Sequence, residues 1–304
     1  MSRVDATEPD PSVISNIPTP PFVRLPDPGA SFAARAARFA ELAEDHQLAP
    51  YLRFLAGVCG IQAAIQDGLP APAAIVPEQL ARAHEHKMPP LDRGGFTVDA
   101  VFAATLDRLL GAAAALDMPA PARAALDRVT EADADGRATM IRNVLAEAIP
   151  VEALAEHVFV AAALQVHFAC LAARLDPKSL QSVGDGVCPA CGGAPTASVL
   201  INSHRTPGAR YCACSLCGTM WNYVRSKCTL CGSTRGIVFQ EIEGADHIKA
   251  ETCDDCHGYM KVLNHQKDDR LDPVADDVAT LGLDLLVREL GFRRGGVNPF
   301  LIGY

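Results

Sequence analysis

The sequence predicts an α+β fold: an all-α helical bundle, then two small cysteine-rich modules in tandem, then a C-terminal helix that returns to the bundle. Alanine and leucine recur with helical spacing in the first half, glycine, cysteine and β-branched residues replace them from Cys188 to Lys261, and helical spacing returns after Pro273. These changes place a Pro-rich extended lead-in at 1–30, the helical domain at 31–180, the modules at 186–222 and 223–265, and the C-terminal helix and tail at 273–304.

Start signals divide the helical domain into segments. Ser31 can cap a first helix that runs toward His46, and Pro50 suits the first turn of a second. Further helices are predicted at Pro77–His86, Val98–Leu116, Ala122–Ala132 and Ala138–Ala148, with a long one after Pro150. Its most apolar stretch, Val158–Ala173, contains Gln165 and His167 and is expected to be too short to span a bilayer.

The later segments are shorter. Strand-like runs lie at Ala197–Ile201, Gly236–Glu241 and Ala245–Ala250. After Pro273, Leu281, Leu285, Val287 and Leu290 follow helical spacing, and Gly291 is a typical stop signal. We expect this last helix to pack on the bundle.

Composition narrows the classes of function. The net charge of −9 argues against general binding to nucleic acid or acidic membranes, which favours a basic surface. The first thirty residues hold seven prolines and no basic start followed by an apolar run, so we expect a cytoplasmic protein. In that reducing compartment, eleven cysteines indicate metal or redox chemistry rather than disulfides.

Eight of the cysteines form four Cys-x-x-Cys pairs, at 188/191, 214/217, 228/231 and 253/256. Two intervening residues let both sulfurs of a tight turn face one ion, and two such turns complete a tetrahedron. Glycine follows the pair in three cases, Gly192, Gly218 and Gly232, where a positive φ would close the turn. His257 stands at the fourth such position, so that turn is expected to differ.

An internal repeat predicts how the pairs combine. The first and second pairs are separated by 22 residues and the third and fourth by 21, close to the zinc-ribbon spacing, whereas 10 residues separate the second and third. One ion is therefore assigned to Cys188, Cys191, Cys214 and Cys217, and another to Cys228, Cys231, Cys253 and Cys256. Spacing leaves zinc or iron open, and also leaves open a purely structural role.

The unpaired cysteines and the histidines are interpreted mainly as packed side chains rather than as metal ligands. Cys212 belongs to no pair, and Cys59 and Cys170 lie in apolar helical surroundings, so all three are interpreted as packed thiols. His157 and His167 are interpreted as bundle histidines, and His257 as a residue that could hydrogen-bond a sulfur.

Between the modules, Trp221, Tyr223, Arg225 and Lys227 form an aromatic and basic connector that could hold a peptide or nucleic-acid bases. From Cys188 to Lys261, however, seven basic residues face six acidic ones, too small an excess for a polyanion footprint. No nucleophile elbow, phosphate-binding glycine loop or His-Glu-x-x-His motif occurs, so we expect no catalytic residues and no enzyme activity.

Several motifs, taken in order, resemble formate dehydrogenase accessory proteins of the FdhE type. The motifs are Pro21-Phe-Val-Arg-Leu-Pro26, Arg35-Ala-Ala-Arg-Phe, Cys188-Pro-Ala-Cys-Gly-Gly-Ala-Pro, the run from Arg210 through Trp221 to Gly232, Cys253-Asp-Asp-Cys256 with Tyr259 and Lys261, and Arg293-Arg-Gly-Gly-Val-Asn-Pro-Phe300. The resemblance covers nearly the whole chain. Met220 and Gln47 depart from it, at positions peripheral to the cysteines.

The resemblance implies two rubredoxin-like modules that bind iron through the eight paired cysteines. It also implies a cytoplasmic factor that contacts the catalytic subunit of a respiratory molybdenum- or tungsten-containing formate dehydrogenase and is needed for its activity before export. Two alternatives are a rubredoxin-like electron carrier and a zinc-ribbon nucleic-acid-binding protein. The sequence leaves homo-oligomerisation open.

Overall fold

The computed structural model describes residues 19–301. Its larger helices are α1 (Pro28–Leu42), α2 (Ala49–Ala64), α3 (Pro77–Glu85), α4 (Ala100–Ala113), α5 (Ala120–Glu131), α6 (Ala134–Leu145) and α7 (Leu154–Ala172). The strands are β1 (Val23–Arg24), β2 (Pro195–Leu200), β3 (Arg210–Cys214), β4 (Met220–Asn222), β5 (Ile237–Gln240), β6 (Ile248–Cys253), β7 (Gly258–Asn264) and β8 (Arg293–Arg294). Two short helices, α8 (Ala275–Ala279) and α9 (Leu281–Glu289), lie between β7 and β8. The predicted α+β class is confirmed.

Several helices begin at an aspartate cap or at a proline in the first turn. α1 begins at Pro28 rather than near Ser31, because the Asp27 side chain accepts a hydrogen bond from the N–H of Ala30. Asp99 caps α4 in the same way, and Pro50 lies in the first turn of α2 as predicted.

Helix α7 is the centre of the bundle and packs against α4, α5 and α6. With the 3₁₀ turn Val151–Ala153 before it, the helical segment Val151–Ala172 is longer than the apolar stretch Val158–Ala173 and, by length and composition alone, could cross a membrane. Most of it is buried inside the protein, as in the core helix of a bundle.

The strands form one sheet in the order β1-β4-β3-β2-β7-β6-β5, with β8 beside β7. Each predicted module contributes one antiparallel set, β2–β3–β4 or β5–β6–β7. The sets join through parallel pairing of β2 with β7, with Val199 opposite Leu263. The two modules therefore share a sheet. The predicted domain boundaries themselves stay predictions.

Both ends of the described chain contact distant elements. In the predicted lead-in, Val23 of β1 pairs with Trp221 of β4, while residues 1–18 lie outside the described residues. The predicted C-terminal helix is two helices: α8 packs on α1 as expected, but α9 packs on β6 and β8. It does so because its Leu283 and Val287 are buried in a second core over the sheet.

Candidate metal centres

The structure gathers the eight paired cysteines into two groups of four. Within each group the four sulfurs lie within 4.8 Å of one another. The members are those that the sequence assigned: the first group is Cys188, Cys191, Cys214 and Cys217, and the second group is Cys228, Cys231, Cys253 and Cys256.

The sulfur separations fit a tetrahedral cation. Cys188 Sγ and Cys217 Sγ are 3.7 Å apart, and Cys231 Sγ and Cys253 Sγ are 3.8 Å apart. A tetrahedron with metal–sulfur bonds of about 2.3 Å has edges of about 3.8 Å, whereas a disulfide bond is about 2.05 Å. All eight thiols are free. The donor set therefore fits a closed tetrathiolate site with no open position.

The first three turns close with the same hydrogen bond, and in the fourth Cys253 pairs with Gly258. The N–H of the first cysteine reaches the carbonyl oxygen five residues on, for example from Cys188 to Gly193 at 2.9 Å and from Cys228 to Ser233 at 2.7 Å. The glycine after each of the first three pairs has the expected positive φ, and these are Gly192, Gly218 and Gly232. His257 has the same left-handed backbone conformation, with φ of +51°, although it carries a side chain. The fourth turn is thus alike in backbone but strained.

The pKa values of the cysteine thiols in the first group are shifted in opposite directions. Burial raises the pKa of the Cys188 thiol well above its ordinary value. Burial also opposes ionisation of Cys214, yet hydrogen bonds from the other three cysteines and from the Cys217 amide hold its pKa well below the ordinary value. Four thiolates in so small a buried space require a compensating cation, and the arrangement suits a divalent or trivalent ion.

The first group is part of the bundle core. All four cysteines are buried and belong to the same apolar cluster as the bundle helices. Gln165 of α7 donates from Nε2 to the carbonyl oxygen of Ser215, inside the second Cys-x-x-Cys turn, at 2.9 Å. The N–H of Leu91 donates to the carbonyl oxygen of Ala190, inside the first turn, also at 2.9 Å. This role of Gln165 was not predicted from the sequence, where its signal is a lone amide in an otherwise apolar helix.

The second group lies at the surface. Cys228 and Cys253 are buried, Cys256 is half-buried and Cys231 is exposed. Arg210 of β3 donates from Nη2 to Thr229 Oγ1 at 3.1 Å, inside the third turn. The inner half of this group is therefore attached to the sheet, while its outer half faces solvent.

The unpaired cysteines and the histidines have ordinary surroundings. Burial raises the pKa of Cys212 and of Cys59 to about 12, which leaves both as inert thiols. His157 approaches the Ala153 carbonyl oxygen at 2.5 Å, and His167 lies among phenylalanine rings. The His257 ring lies beside that of Phe292.

The aromatic residues of the connector contact the protein itself. Trp221 is buried on β4, so it cannot present its ring to a partner. The Tyr223 hydroxyl donates to Asp185 Oδ1 at 2.6 Å and approaches the Cys228 carbonyl oxygen at 3.0 Å. These aromatic side chains join the two groups to the rest of the fold.

Comparison with known proteins identifies the family. The family models described as "FdhE, N-terminal", "FdhE, central domain" and "FdhE, C-terminal domain" match residues 20–185, 187–225 and 226–301. The chain belongs to the FdhE family. It is 47% identical over 304 residues to "Protein FdhE homolog" of Rhizobium meliloti, covering 99% of each chain, and 32% identical to "Protein FdhE" of Salmonella choleraesuis, covering 88% of this chain and 86% of that one.

A solved member of the FdhE family has the same fold. The crystal structure of the FdhE protein from Pseudomonas aeruginosa superposes with a TM-score of 0.82 at 33% identity, covering 93% of this chain and 99% of that one. The resemblance drawn from the sequence is thereby confirmed.

The tail motif from Arg293 to Phe300 makes hydrogen bonds with several parts of the fold. Arg294 and Asn298 donate to Asp277 Oδ2 at 2.6 and 2.8 Å. The Phe300 carbonyl oxygen accepts a hydrogen bond of 2.6 Å from the Tyr51 hydroxyl of α2. The tail therefore joins the sheet, α8 and the bundle.

Proposed function

We propose that this protein is an accessory factor needed for the assembly or activation of a formate dehydrogenase, without catalytic activity of its own. Membership of the FdhE family supports the role. The observation that carries it is the placement of eight cysteines in two closed groups of four, which suits holding ions rather than transforming a substrate.

The two groups are proposed to bind one ion each, through Cys188, Cys191, Cys214 and Cys217 and through Cys228, Cys231, Cys253 and Cys256. The family resemblance favours iron, and zinc is the alternative. Iron would supply a one-electron couple, whereas zinc would be redox-inert. Elemental analysis with a visible spectrum of freshly purified protein separates them: we expect two iron atoms per chain and a coloured protein. A colourless protein with two zinc ions would contradict iron.

The proposed client is the catalytic subunit of a respiratory molybdenum- or tungsten-containing formate dehydrogenase, bound in the cytoplasm before export. The full chain should capture that subunit in a pull-down, and a strain lacking the protein should lose formate dehydrogenase activity. Unchanged activity in that strain would refute the proposal. A redox contribution is tested by Cys-to-Ser variants that still capture the client, which should fail to restore activity.

A second candidate is a rubredoxin-like electron carrier, and the exposure of Cys231 favours it, because an exposed ligand shortens the path to a redox partner. A reversible absorbance change on reduction, followed by reoxidation by an added protein acceptor, would support this function. The absence of such a change would exclude it.

A further inference from the structure

The two cysteine groups differ in how solvent reaches their sulfurs. In the first group every cysteine is buried, whereas in the second group Cys231 is exposed and Cys256 is half-buried. An incoming ligand can therefore reach the second group from solvent, but it can reach the first group only if the core opens.

The backbone around the first group is fixed on two sides. The Leu91–Ala190 and Gln165–Ser215 hydrogen bonds attach both of its turns to the bundle. Ala194, just after the first turn, also donates its N–H to Glu147 Oε1 at 3.1 Å. Release of an ion would require these contacts between the turns and the bundle to break.

The outer turn of the second group is strained instead. His257 directly follows Cys256 and has φ of +51°, a conformation that the other three turns assign to glycine. The turn is strained while its cysteines face the other two of the group, and the strain is relieved when the turn opens. The same turn thus combines strain with a solvent-facing sulfur.

We propose that the second group is an exchange site, at which the ion enters and leaves the folded protein, while the first group keeps its ion as long as the fold persists. The inference rests on the metal binding proposed above. Exchange is a ligand substitution without change of oxidation state: an incoming donor bonds to the ion as the bond to the Cys231 sulfur breaks, and the released thiolate takes a proton from water.

The test uses the full chain loaded with Zn²⁺ alone and then mixed with excess chelator. One zinc per chain should leave in a fast phase, and the other only when the protein unfolds. Iodoacetamide labelling followed by peptide mass spectrometry should show Cys231 and Cys256 modified in the fast phase, with the first group protected.

Two matched variants locate the opening step. His257→Gly keeps all eight cysteines and removes the strain, so the fast phase should slow by about fivefold. His204→Gly makes the same change at an exposed loop position outside the positive-φ region and should leave the rate unchanged. A fast phase that H257G does not slow would contradict the strained turn as the point of opening.

The outcomes separate this inference from the proposed function. Two ions that leave at equal rates, or labelling of the first group in the fast phase, would overturn the exchange site and leave metal binding intact. A folded protein that takes up no zinc would overturn both.

Discussion

At the scale of single residues, Glu147 has a strained backbone conformation, and its side chain makes two contacts with distant parts of the chain. It follows α6 with φ of +56°, at a position where glycine is usual. Its Oε1 lies 2.5 Å from Arg93 Nη1 and accepts the Ala194 N–H. The carboxylate of this one residue thereby connects the loop before α4, the end of α6 and the segment that follows the first turn of the first group.

Glu147→Ala and Glu147→Gly separate the strain from the contact. Both lose the carboxylate, but only alanine retains the unfavourable backbone, so E147G should be more stable than E147A by about 1 kcal/mol. Denaturant unfolding checks the difference. Equal stabilities would show that the backbone strain is negligible.

A second residue-scale feature is a buried set of two cations and two anions. Lys261 Nζ lies 2.5 Å from Asp284 and 3.2 Å from Asp277, and Arg294 lies 2.6 Å from each carboxylate. The charges balance, so removal of one leaves an uncompensated buried charge.

Asp277→Asn should therefore lower the free energy of unfolding by about 3–5 kcal/mol. The control is Asp246→Asn, which breaks an exposed pair with Lys267 and should have little effect. Thermal unfolding of both variants checks the comparison. A D277N protein as stable as D246N would contradict an energetic role for the buried set.

The stability difference between D277N and the unmodified chain should depend on pH. Burial opposes ionisation of Asp277, but Lys261 and Arg294 lower its pKa below the ordinary value. Because the unfolded pKa is about 3.9, the stabilisation is fully present above about pH 4 and is lost as pH falls through the lower folded pKa. Unfolding of both proteins from pH 7 to pH 3 should show a constant gap that narrows only in acid.

At the scale of elements, the tail fits because two successive residues have no side chain. A Cβ built at Gly296 would lie 2.5 Å from the Thr196 carbonyl oxygen, which belongs to β2, and one at Gly295 would collide with Leu230. The sequence motif of the tail is thus a packing requirement between β2 and the third turn.

Gly296→Ala should destabilise the protein by about 1–3 kcal/mol, because the backbone atom it meets cannot move aside cheaply. Gly282→Ala is the control: nothing lies within 4 Å of that position in α9, so alanine should be neutral or stabilise by about 0.5–1 kcal/mol. Melting temperatures of the two variants check the signs. Destabilisation by G282A to the same extent would contradict the steric explanation.

Sequence patterns predicted the helices better than the strands. Pro77–Glu85 was found within one residue at its end, because helical spacing and caps are local. Strands β3 and β7 were missed, since cysteine and buried polar residues such as Lys261 obscure the alternation that marks a strand. The pairing of β2 with β7 depends on residues more than sixty positions apart, which no local pattern reveals.

At the scale of the whole molecule, the grouping of the cysteines was predictable and their surroundings were not. Spacing alone assigned all eight to two groups, which the structure brings together. The burial of the first group inside the bundle core does not follow from any local sequence pattern. That difference arises because Gln165 and Leu91 approach the turns from distant parts of the chain.

Cys191→Ser and Cys231→Ser should consequently differ. C191S removes one of the proposed ligands inside the shared core, so the helices should unfold at a lower temperature, with a loss of about several kcal/mol. C231S affects the exposed edge and should leave helix melting nearly unchanged. Far-ultraviolet circular dichroism during heating measures both. Equal effects would contradict the distinction between a core group and a surface group.

Pairing of Val23 with Trp221 and the hydrogen bond from Tyr51 to Phe300 join residues that are far apart in the sequence. During synthesis on the ribosome, α2 is made long before Phe300 emerges, so the contact between α2 and the tail forms late. Contacts this far apart slow folding, and a chain interrupted before Arg293 would expose its half-built core to proteases. Quality control in the cell should therefore remove truncated copies rather than let them accumulate.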